Sequence, residues 1–582
     1  MQETNQIPQD ATLPISERLQ PHVSGSDGFS KALSWIALGL LIAIALGRIV
    51  STYHVFNHTI DEPSHLACGL EWWEKGTYTI ETKHTPLARI SVAFLPYMAG
   101  LRSPEHFTKW QDTYPVLSAD GHYWRNLTLA RIGVLPYFVI CAVVVFLWTR
   151  RLYGASAGLL AAAVFTLLPT ILAHSGVATT DIAFTAMFCW AFYAFVLWLA
   201  DPRVATAANL GVAAGLAVCA KLSAVAFLPS CGVAVLLLYG VSGRTQWKGL
   251  MRTIAIVALS AFLVTWAVYR FSHAPIRDVT TVPDRAAGRI FGEGSGMARL
   301  VRATTSHVQL PAPELLDGVR MMRQQRNEGT SSYLLGHVKE QGGWWYFFIV
   351  ALAVKTPLAA LILAAVGTFA AGSRYLRDRS GWEIVTPIAA AAMILVVTAP
   401  SGLNSGVRYV MPMFALFSIL AGFGLVNLWK AGRHTQLCRT LAILLFAWLA
   451  ISSLRAHPDY LAYFNEFGGS DPSRILVISD LDWGQDLTRL ATYLREKQID
   501  HISIAYEGFY DPASLGLPET VKLKCGDVPT GWVAVAARRA RRSPECEPWL
   551  AGQQRIEIVG KTMWIYHLPE TQPPQNPPNP VH

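Results

Sequence analysis

The chain has 582 residues, of which 52% are hydrophobic and only 15% are charged, and its formal net charge is +9. Soluble domains carry about 25% charged residues, so this composition excludes an ordinary soluble globular protein. The apolar residues stand in long runs, and a helix needs about 20 such residues to span the hydrocarbon core of a bilayer. The sequence therefore predicts a mainly α, polytopic membrane protein.

Residues 1–30 are polar and show no apolar periodicity, which predicts a disordered cytoplasmic tail. The first apolar run is too long and too far from the N-terminus to be a cleaved signal peptide. Together the apolar runs predict about eleven transmembrane helices within a membrane domain at 31–455. The predicted spans are 32–52, 127–149, 155–174, 178–199, 205–221, 222–240, 251–270, 344–371, 384–400, 409–429 and 438–454.

The short loops between these spans differ in charge. Loops at one end of the spans are rich in Lys and Arg, whereas the alternate loops at 174–178 and 400–408 contain a single basic residue, Arg408. Because cytoplasmic loops are enriched in basic residues, the N-terminus is predicted to be cytoplasmic and the regions 53–126 and 271–343 external. Nucleic-acid binding would need a basic face on an intracellular domain, and none is visible, so no nucleic-acid partner is expected.

Residues 456–567 change to the pattern of a small external α/β domain. "RILVISD", "HISIAY", "WVAVAA" and "MWIYHL" are strand-like, and "DLTRLATYLREKQ" has apolar residues at helical spacing. The proline-rich residues 568–582 are predicted to be disordered. Cys525 and Cys546 share this external segment, where a disulfide can form, but the sequence leaves their pairing open.

The first external region holds the densest set of polar groups, "IDEPSHLACGLEWWEKGTYTIETKHTPLARISVAFLPY". Two adjacent carboxylates, Asp61 and Glu62, open it, and the turn "KHTPLAR" leads into an apolar segment at 90–98. That segment is too short to cross a bilayer, so we expect it to lie along the interface. The region would then fold back on the membrane and bring the acid pair to the level of His84 and Arg89.

These motifs resemble a known family. An acidic pair after the first span, a Gly-x-Tyr and then "HPPLAR" are typical of the family 39 membrane glycosyltransferases of the GT-C superfamily, which include protein O-mannosyltransferases and lipid A aminoarabinose transferases. Here the turn reads "HTPLAR", with Thr85 in place of a proline. "ATTDIAF", "GGWWYFFIVALAVKTPL", "NSGVRYVMP" and "HPDYLAYFNEFGG" with "ISDLDWGQDLTRL" extend the resemblance over roughly residues 35–500.

The resemblance implies an enzyme that moves a sugar from a polyprenyl-phosphate carrier to a lipid, glycan or protein acceptor by an inverting displacement. An acceptor that loses a proton as it attacks needs a carboxylate base, and cations stabilise the departing phosphate. The expected catalytic residues are Asp61 as base, Glu62 orienting the loop or binding the acceptor, and Asp181 as the second acidic site. The expected carrier-phosphate ligands are His84, Arg89, Lys355, Arg408 and Tyr409, and the expected substrate-binding residues are His65, Tyr78 and Lys221.

Several of these residues also have simpler explanations. Asp181 could only favour the dipole of the helix that it begins, and Lys221 could snorkel from a helix end. Lys355 lies inside an apolar span, where a lone charge costs about 3 kcal/mol on insertion scales, so a cavity or a lipid phosphate beside it is favoured. Asp482 and Asp486 could cap the helix that follows them.

A divalent metal ion stays open as a cofactor, since no ligand spacing requires one; if one binds, Asp61 and Asp181 are the candidate ligands. A membrane transporter, or a non-catalytic protein that binds the lipid carrier in cell-envelope glycan assembly, is the alternative function. A transporter predicts polar sites at the midplane, whereas the polar residues here gather at the external ends. The resemblance and the loop charges together indicate a bacterial inner membrane with a periplasmic active site, among membrane lipids.

Overall fold

The computed structural model describes residues 31–103, 110–243, 245–280, 282–292, 294–329, 331–431 and 435–569. The predicted tail at 1–30 lies outside these ranges, as does the predicted tail at 568–582 apart from its first two residues. Within the described residues the fold is mainly α, with a small C-terminal sheet. The predicted fold class is therefore confirmed.

The N-terminal half of the membrane domain consists of helices, because a backbone inside a bilayer must satisfy its own hydrogen bonds. These helices are α1 (Lys31–Val50), α2 (Glu62–Glu74), α3 (Pro86–Met98), α4 (Tyr123–Ile132), α5 (Leu135–Tyr153), α6 (Ala155–Leu167), α7 (Pro169–Ser175), α8 (Asp181–Ala200), α9 (Val204–Ala220), α10 (Ser223–Val241) and α11 (Trp247–Val268), with a 3₁₀ helix at Trp110–Ser118.

The second external region follows α11 and contains short helices and two small antiparallel hairpins. Its elements are β1 (His273–Pro275), α12 (Ile276–Val279), α13 (Val282–Phe291), α14 (Gly296–His307), β2 (Gln309–Pro311), α15 (Pro313–Glu328), β3 (Ser332–Leu334) and β4 (His337–Lys339). Strand β1 pairs with β2, and β3 pairs with β4.

The remaining helices of the membrane domain are α16 (Phe347–Lys355), α17 (Leu358–Arg377), α18 (Thr386–Thr398), α19 (Pro412–Lys430) and α20 (Thr435–Arg455), with 3₁₀ helices at Trp382–Val385 and Val407–Val410. The predicted span 344–371 is divided here between α16 and α17, since Pro357 cannot donate the backbone hydrogen bond that a continuous helix needs.

Within the described ranges, eight helices are long and apolar enough to cross a membrane, or nine if the bent pair α6–α7 is one span. The two shorter apolar helices, Val204–Ala220 and Trp382–Thr398, fall in two further predicted windows. The chain is therefore a multi-pass membrane protein, and each of the eleven predicted windows contains helix.

The C-terminal domain is built from α21 (Ile478–Leu481), α22 (Leu487–Glu496), β5 (His501–Ala505), α23 (Pro512–Leu515), β6 (Glu519–Lys522), β7 (Gly531–Ala536), α24 (Ala537–Arg542), β8 (Glu557–Val559) and β9 (Met563–Leu568). Further 3₁₀ helices lie at Glu466–Gly468, Pro472–Arg474, Pro544–Cys546 and Pro548–Leu550.

One five-stranded sheet with the order β6-β5-β7-β9-β8 organises this domain. Strands β6, β5 and β7 are parallel, and β9 runs antiparallel to β7 and to β8. Strands β5, β7 and β9 and helix α22 were expected from the sequence. Cys525 and Cys546 form a disulfide with their Cα atoms 4.2 Å apart, which answers the question that the sequence left open.

The predicted strand "RILVISD" is wrong. Its residues form the end of a 3₁₀ helix, a turn with a short irregular stretch and the start of α21, and its backbone bonds locally, as in the 3.2 Å bond from Leu476 N to Pro472 O. The apolar run looked like a buried strand because Val477 is buried under the sheet. The segment "RILVISD" packs between the sheet and the membrane domain.

The segment "RILVISD" also fixes the loop that contains Arg408. Gly406 has φ of 115°, and a Cβ at this position would collide with Ser479 Oγ, so the loop 404–408 lies directly on α21. The Asp480 carboxylate accepts a 2.9 Å hydrogen bond from Val407 N. Asn57, which follows α1, donates through Nδ2 to Gly484 O at 2.7 Å, and the His174 ring, shortly before α8, lies 5.8 Å from that of Trp483. The C-terminal domain therefore contacts the end of the membrane domain at which α1 ends and α8 begins.

Candidate active site

Asp61 lies just before α2 and pairs with Arg408. Arg408 Nη1 donates to Asp61 Oδ2 at 2.7 Å, and the two side chains are 16% and 29% exposed, respectively. Burial by itself would raise the pKa of Asp61, but the Arg408 guanidinium outweighs it and lowers the pKa to about 2. Asp61 is therefore an ionised carboxylate that remains partly open to solvent.

Glu62 points away from Asp61 and is only 1% exposed. Its carboxylate accepts hydrogen bonds from Arg131 Nε at 2.9 Å and Nη2 at 3.0 Å, and from the backbone N–H groups of Thr59 and Ala178. The side chain therefore joins the first external region to α4 and to the turn before α8. Of its two predicted roles, orienting the loop fits these contacts.

Asp181 and Lys221 form a second ion pair. Lys221 Nζ lies 2.7 Å from Asp181 Oδ1, and Thr179 Oγ1 donates to Asp181 Oδ2 at 3.2 Å. His174 Nδ1 lies 3.7 Å from the same Oδ2. Lys221 is only 12% exposed, so its ammonium is directed at a carboxylate instead of snorkelling.

Tyr409 joins the two ion pairs. Lys221 Nζ lies 4.7 Å from the centre of the Tyr409 ring, and the Arg408 guanidinium carbon lies 5.6 Å from it. The residues Asp61, Arg408, Asp181 and Lys221, here called the charged quartet, therefore form one group with balanced charge. Arg408 Nε is buried without a hydrogen-bond partner within the described part of the chain. This guanidinium can therefore donate one further hydrogen bond.

Arg89 is fully buried, and its donors are engaged inside the first external region. Nε donates to His65 Nδ1 at 3.0 Å, Nη1 donates to Tyr78 Oη at 2.8 Å, and Nη2 donates to the Glu81 carboxylate. Tyr78 Oη in turn donates to His84 O at 2.6 Å. Arg89 and Tyr78 therefore hold this region together, and Glu81 is a central residue that the sequence reasoning missed.

His65 and His84 of this region lie beside the charged quartet. Burial lowers the pKa of His65 well below its usual value, with Arg89 adding to the effect, so its ring is neutral. Because Arg89 Nε can only donate, His65 Nδ1 accepts and the ring proton is on Nε2. His84 Nδ1 lies 2.8 Å from Glu81 Oε2, and the two rings meet edge to face at 5.3 Å.

Lys355 ends α16, and its ammonium donates to the backbone carbonyls of Leu461 at 2.8 Å and Asp480 at 2.5 Å. It also lies 4.4 Å from the centre of the Phe464 ring. These contacts satisfy the buried charge by attaching the C-terminal chain to the membrane domain. The hydrogen bonds of Lys355 are therefore with this junction and not with the charged quartet.

The "LDWGQDL" motif contributes an aromatic ring to the site. Trp483 is buried, and the Arg408 guanidinium carbon lies 4.5 Å from its ring centre. The flanking carboxylates fasten the loop to the sheet domain: Asp482 accepts from Arg538 N at 2.8 Å, and Asp486 accepts from Lys561 N at 2.9 Å. Burial raises the pKa of Asp482 to about 6. Neither carboxylate caps α22 with its side chain.

A metal ion has no complete set of ligands in this arrangement. No cluster of three or more His, Cys, Asp or Glu side chains in the described ranges is arranged to hold one. The two candidate ligands, Asp61 and Asp181, are each paired with a basic side chain. The residues present therefore do not fit a divalent ion, and no step proposed below passes through one.

Residues 126–266 match a family described as dolichyl-phosphate-mannose-protein mannosyltransferase. This segment contains Asp181 and Lys221 of the charged quartet and Arg131, the partner of Glu62. The match covers the "ATTDIAF" motif, not the motifs of the first external region, and it confirms the predicted resemblance to a family of polyprenyl-phosphate-dependent glycosyltransferases. No curated protein sequence matches the chain at a significant level.

Among solved structures, the chain is similar to ArnT from Cupriavidus metallidurans bound to undecaprenyl phosphate, at 13% identity and a TM-score of 0.46, over 93% of this chain and 99% of that one. It is similar to the oligosaccharyltransferase of Archaeoglobus fulgidus, at 13% identity and a TM-score of 0.48, over 85% and 65%. It is also similar to the Pmt1-Pmt2 protein O-mannosyltransferase complex of S. cerevisiae bound to its sugar donor, at 15% identity and a TM-score of 0.32, over 41% and 33%.

Proposed function

We propose that this chain, a membrane glycosyltransferase of the GT-C type, moves a sugar from a polyprenyl-phosphate carrier to an acceptor hydroxyl or amine with Asp61 as the general base. One observation carries the proposal: the charged quartet combines a partly open carboxylate with two cations at the end of the membrane domain that the C-terminal domain covers. Proton removal and stabilisation of a departing phosphate need these two kinds of group side by side.

The reaction is a single displacement. The acceptor oxygen or nitrogen attacks the anomeric carbon and gives its proton to Asp61, while the bond from that carbon to the carrier phosphate oxygen breaks. The electron pair of the broken bond stays on the phosphate, and the anomeric configuration inverts. Arg408 and Lys221 stabilise the negative charge that the phosphate gains, which lowers the barrier because the charge is largest late in the reaction.

Arg408 couples donor binding to the strength of the base. In the free protein Arg408 holds the pKa of Asp61 at about 2, which makes this carboxylate a weak base. A carrier phosphate that shares the guanidinium of Arg408 weakens its hold on Asp61, and the pKa of Asp61 then rises towards its ordinary value. A base is most effective when its pKa lies near the working pH, so the base gains strength when the donor is bound.

An apolar groove beside Tyr409 is suited to the isoprenoid chain of the carrier. The groove has an empty volume of about 1020 Å³ and lies between α10, α15, α16 and α18. Phe227, Phe348 and Val397 line its apolar wall, and Tyr409 closes the end next to the charged quartet. Two basic side chains of α15, Arg323 and Arg326, also line it, and they add cations for an anionic lipid.

Replacing Arg326 with glutamine should raise the KM for the carrier-linked sugar about tenfold and change kcat little, since one hydrogen bond to a charged group is worth about 1.5 kcal/mol. The measurement is initial transfer rate against donor concentration in nanodiscs. Arg320→Gln is the matched control, because Arg320 is an exposed arginine of the same helix that does not line the groove. Equal donor KM values for the two variants would show that Arg326 does not bind the carrier.

We also propose that this active site is periplasmic, on the inner membrane of a bacterium. Asp61, Asp181, Lys221 and Arg408 lie opposite to a set of basic helix ends in the membrane domain, although α1 and α20, which end on the side of the site, also have Arg48 and Arg455 in their last turns. Those basic ends include the last turns of α5, α17 and α19, and basic ends are typical of the cytoplasmic side. The C-terminal domain, which contacts the site, would then be periplasmic as well.

A transfer assay tests the proposed function. Purified protein in nanodiscs is given a panel of radiolabelled polyprenyl-phosphate sugars with a membrane extract as acceptor, and empty nanodiscs serve as the control. We expect label to leave one carrier and appear in the extract only when protein is present. Binding of carrier lipid with no release of label from any donor would overturn the enzyme proposal and favour the carrier-binding or transport alternative.

A further inference from the structure

A loop of the C-terminal domain, residues 506–511, lies directly against the catalytic end of the first external region. Gly508 has φ of 128°, and a Cβ at this position would lie 3.2 Å from Ile60 Cγ1. Ile60 N donates to Trp483 O at 3.0 Å, and the His58 ring contacts Phe509 O at 3.1 Å. The loop therefore contacts Ile60 and His58, the residues that lead into Asp61, and Trp483 binds the same segment.

This loop carries an exposed aromatic ring that is stacked on a second one. Phe509 is 39% exposed, and its ring is nearly parallel to that of Tyr114, with 6.0 Å between centres and 15° between planes. Tyr114 belongs to the 3₁₀ helix of the first external region, so the stack spans the junction of the two domains. Burial raises the pKa of Tyr114 to about 12, with Asp61 adding to the rise and Arg538 opposing it, so both charges act on this hydroxyl.

Charged side chains adjoin the aromatic pair. Arg538 Nε lies 2.7 Å and Arg542 Nη1 lies 3.4 Å from the same Glu507 carboxylate oxygen. Glu507 and Phe509 are two residues apart on the loop, and Arg538 begins the basic end of the sheet domain. None of these residues lines the apolar groove or belongs to the charged quartet, and the proposed donor site makes no use of them.

We propose that Tyr114, Glu507, Phe509 and Arg538, here called the acceptor rim, bind a sugar ring of the acceptor and present its hydroxyl to Asp61. The inference rests on the proposed function and specifies its acceptor class as carbohydrate. An aromatic face packs on the C–H face of a sugar, while a guanidinium and a carboxylate together donate to and accept from neighbouring hydroxyls.

Replacing Phe509 with alanine tests the rim. With the donor identified by the transfer assay, label is followed into a membrane glycan extract and into free sugar released by water. The apparent KM for the extract should rise about tenfold, which corresponds to about 1.4 kcal/mol and to a strong aromatic contact. The ratio of transfer to hydrolysis should fall by a similar factor. Phe467→Ala is the matched control, because Phe467 is an exposed phenylalanine of the C-terminal segment, 64% exposed, and does not belong to the rim.

Glu507→Gln provides a second test if Phe509→Ala does not fold, and the same rise in extract KM is expected. Splitting the extract into glycolipid and water-soluble glycan identifies which source carries the sugar that accepts the label, and label in either fraction supports a carbohydrate acceptor. Label found only in protease-sensitive material would overturn a carbohydrate acceptor. If both variants are active and the extract KM is unchanged in both, the acceptor rim is overturned but the proposed function is not. If the wild type neither transfers nor hydrolyses any donor, the proposed function itself is overturned.

Discussion

Replacing Asp61 with asparagine should reduce sugar transfer by about 10²–10⁴-fold, the range that a positioned general base contributes. Asparagine has nearly the same shape as aspartate and can still accept a hydrogen bond from Arg408, so the site should keep its geometry. Its amide cannot take the acceptor's proton. The measurement is the single-turnover rate with saturating donor in nanodiscs, beside a binding assay for the carrier lipid.

Carrier binding should survive in this variant. Without the negative charge of Asp61, the Arg408 guanidinium keeps a hydrogen bond to residue 61 but loses the ion pair. Its positive charge is then available to the carrier phosphate, so the donor should bind as tightly as in the wild type or more tightly. Loss of binding together with loss of transfer would mean that Asp61 organises the donor site and is not the base. Retention of more than a tenth of the wild-type rate would mean that the base lies elsewhere.

Asp120→Asn is the matched control for this experiment. Asp120 lies in the same external region, is 29% exposed like Asp61, and forms an ion pair with Arg125 as Asp61 does with Arg408. It has no place in the charged quartet or in the acceptor rim. The control variant should transfer sugar at the wild-type rate, which separates the chemistry of Asp61 from the general effect of removing a loop carboxylate.

Much of the candidate site could be predicted from the sequence, because its residues stand where the topology makes them unusual. Asp61 follows a span, and Arg408 is a basic residue in an external loop that should contain none. Their pairing could not be predicted, since 347 residues separate them in the chain and nothing local to either position specifies the partner. The position of Trp483 in the site could not be predicted for the same reason, since only the folded C-terminal domain brings its ring to Arg408.

Arg89 and Lys355 show that a positive charge in an apolar segment does not by itself indicate a ligand-binding residue. A buried cation needs a partner, and sequence alone does not distinguish a ligand from an internal acceptor. In the structure Arg89 finds Glu81 and His65, and Lys355 finds two backbone carbonyls. The wrong prediction of a strand at "RILVISD" has a related cause. The sequence of a short apolar run that is buried on all sides does not show whether a neighbouring strand pairs with it.

Replacing Arg131 with methionine should destabilise the protein by about 3–5 kcal/mol, the cost of breaking a buried ion pair by removing one partner. Arg131 and Glu62 are 2% and 1% exposed, so the carboxylate that remains would be a buried charge without a cation. Arg131 also donates to the backbone carbonyls of Tyr53, Phe56 and Asn57 at 2.8–3.0 Å, and the loop that carries Asp61 would lose these bonds as well. The measurement is thermal unfolding in detergent, followed by loss of the monodisperse peak.

Two further variants separate the charge from the hydrogen bonds. Arg125→Met is the control, because it breaks an ion pair whose arginine is 38% exposed, and such surface pairs are worth about 0–1 kcal/mol. The double variant Glu62→Gln with Arg131→Met removes both charges and should recover part of the lost stability, since no unpaired buried charge remains. If the double variant is as unstable as Arg131→Met, the three carbonyl bonds of Arg131, and not its ion pair with Glu62, hold the catalytic loop in place.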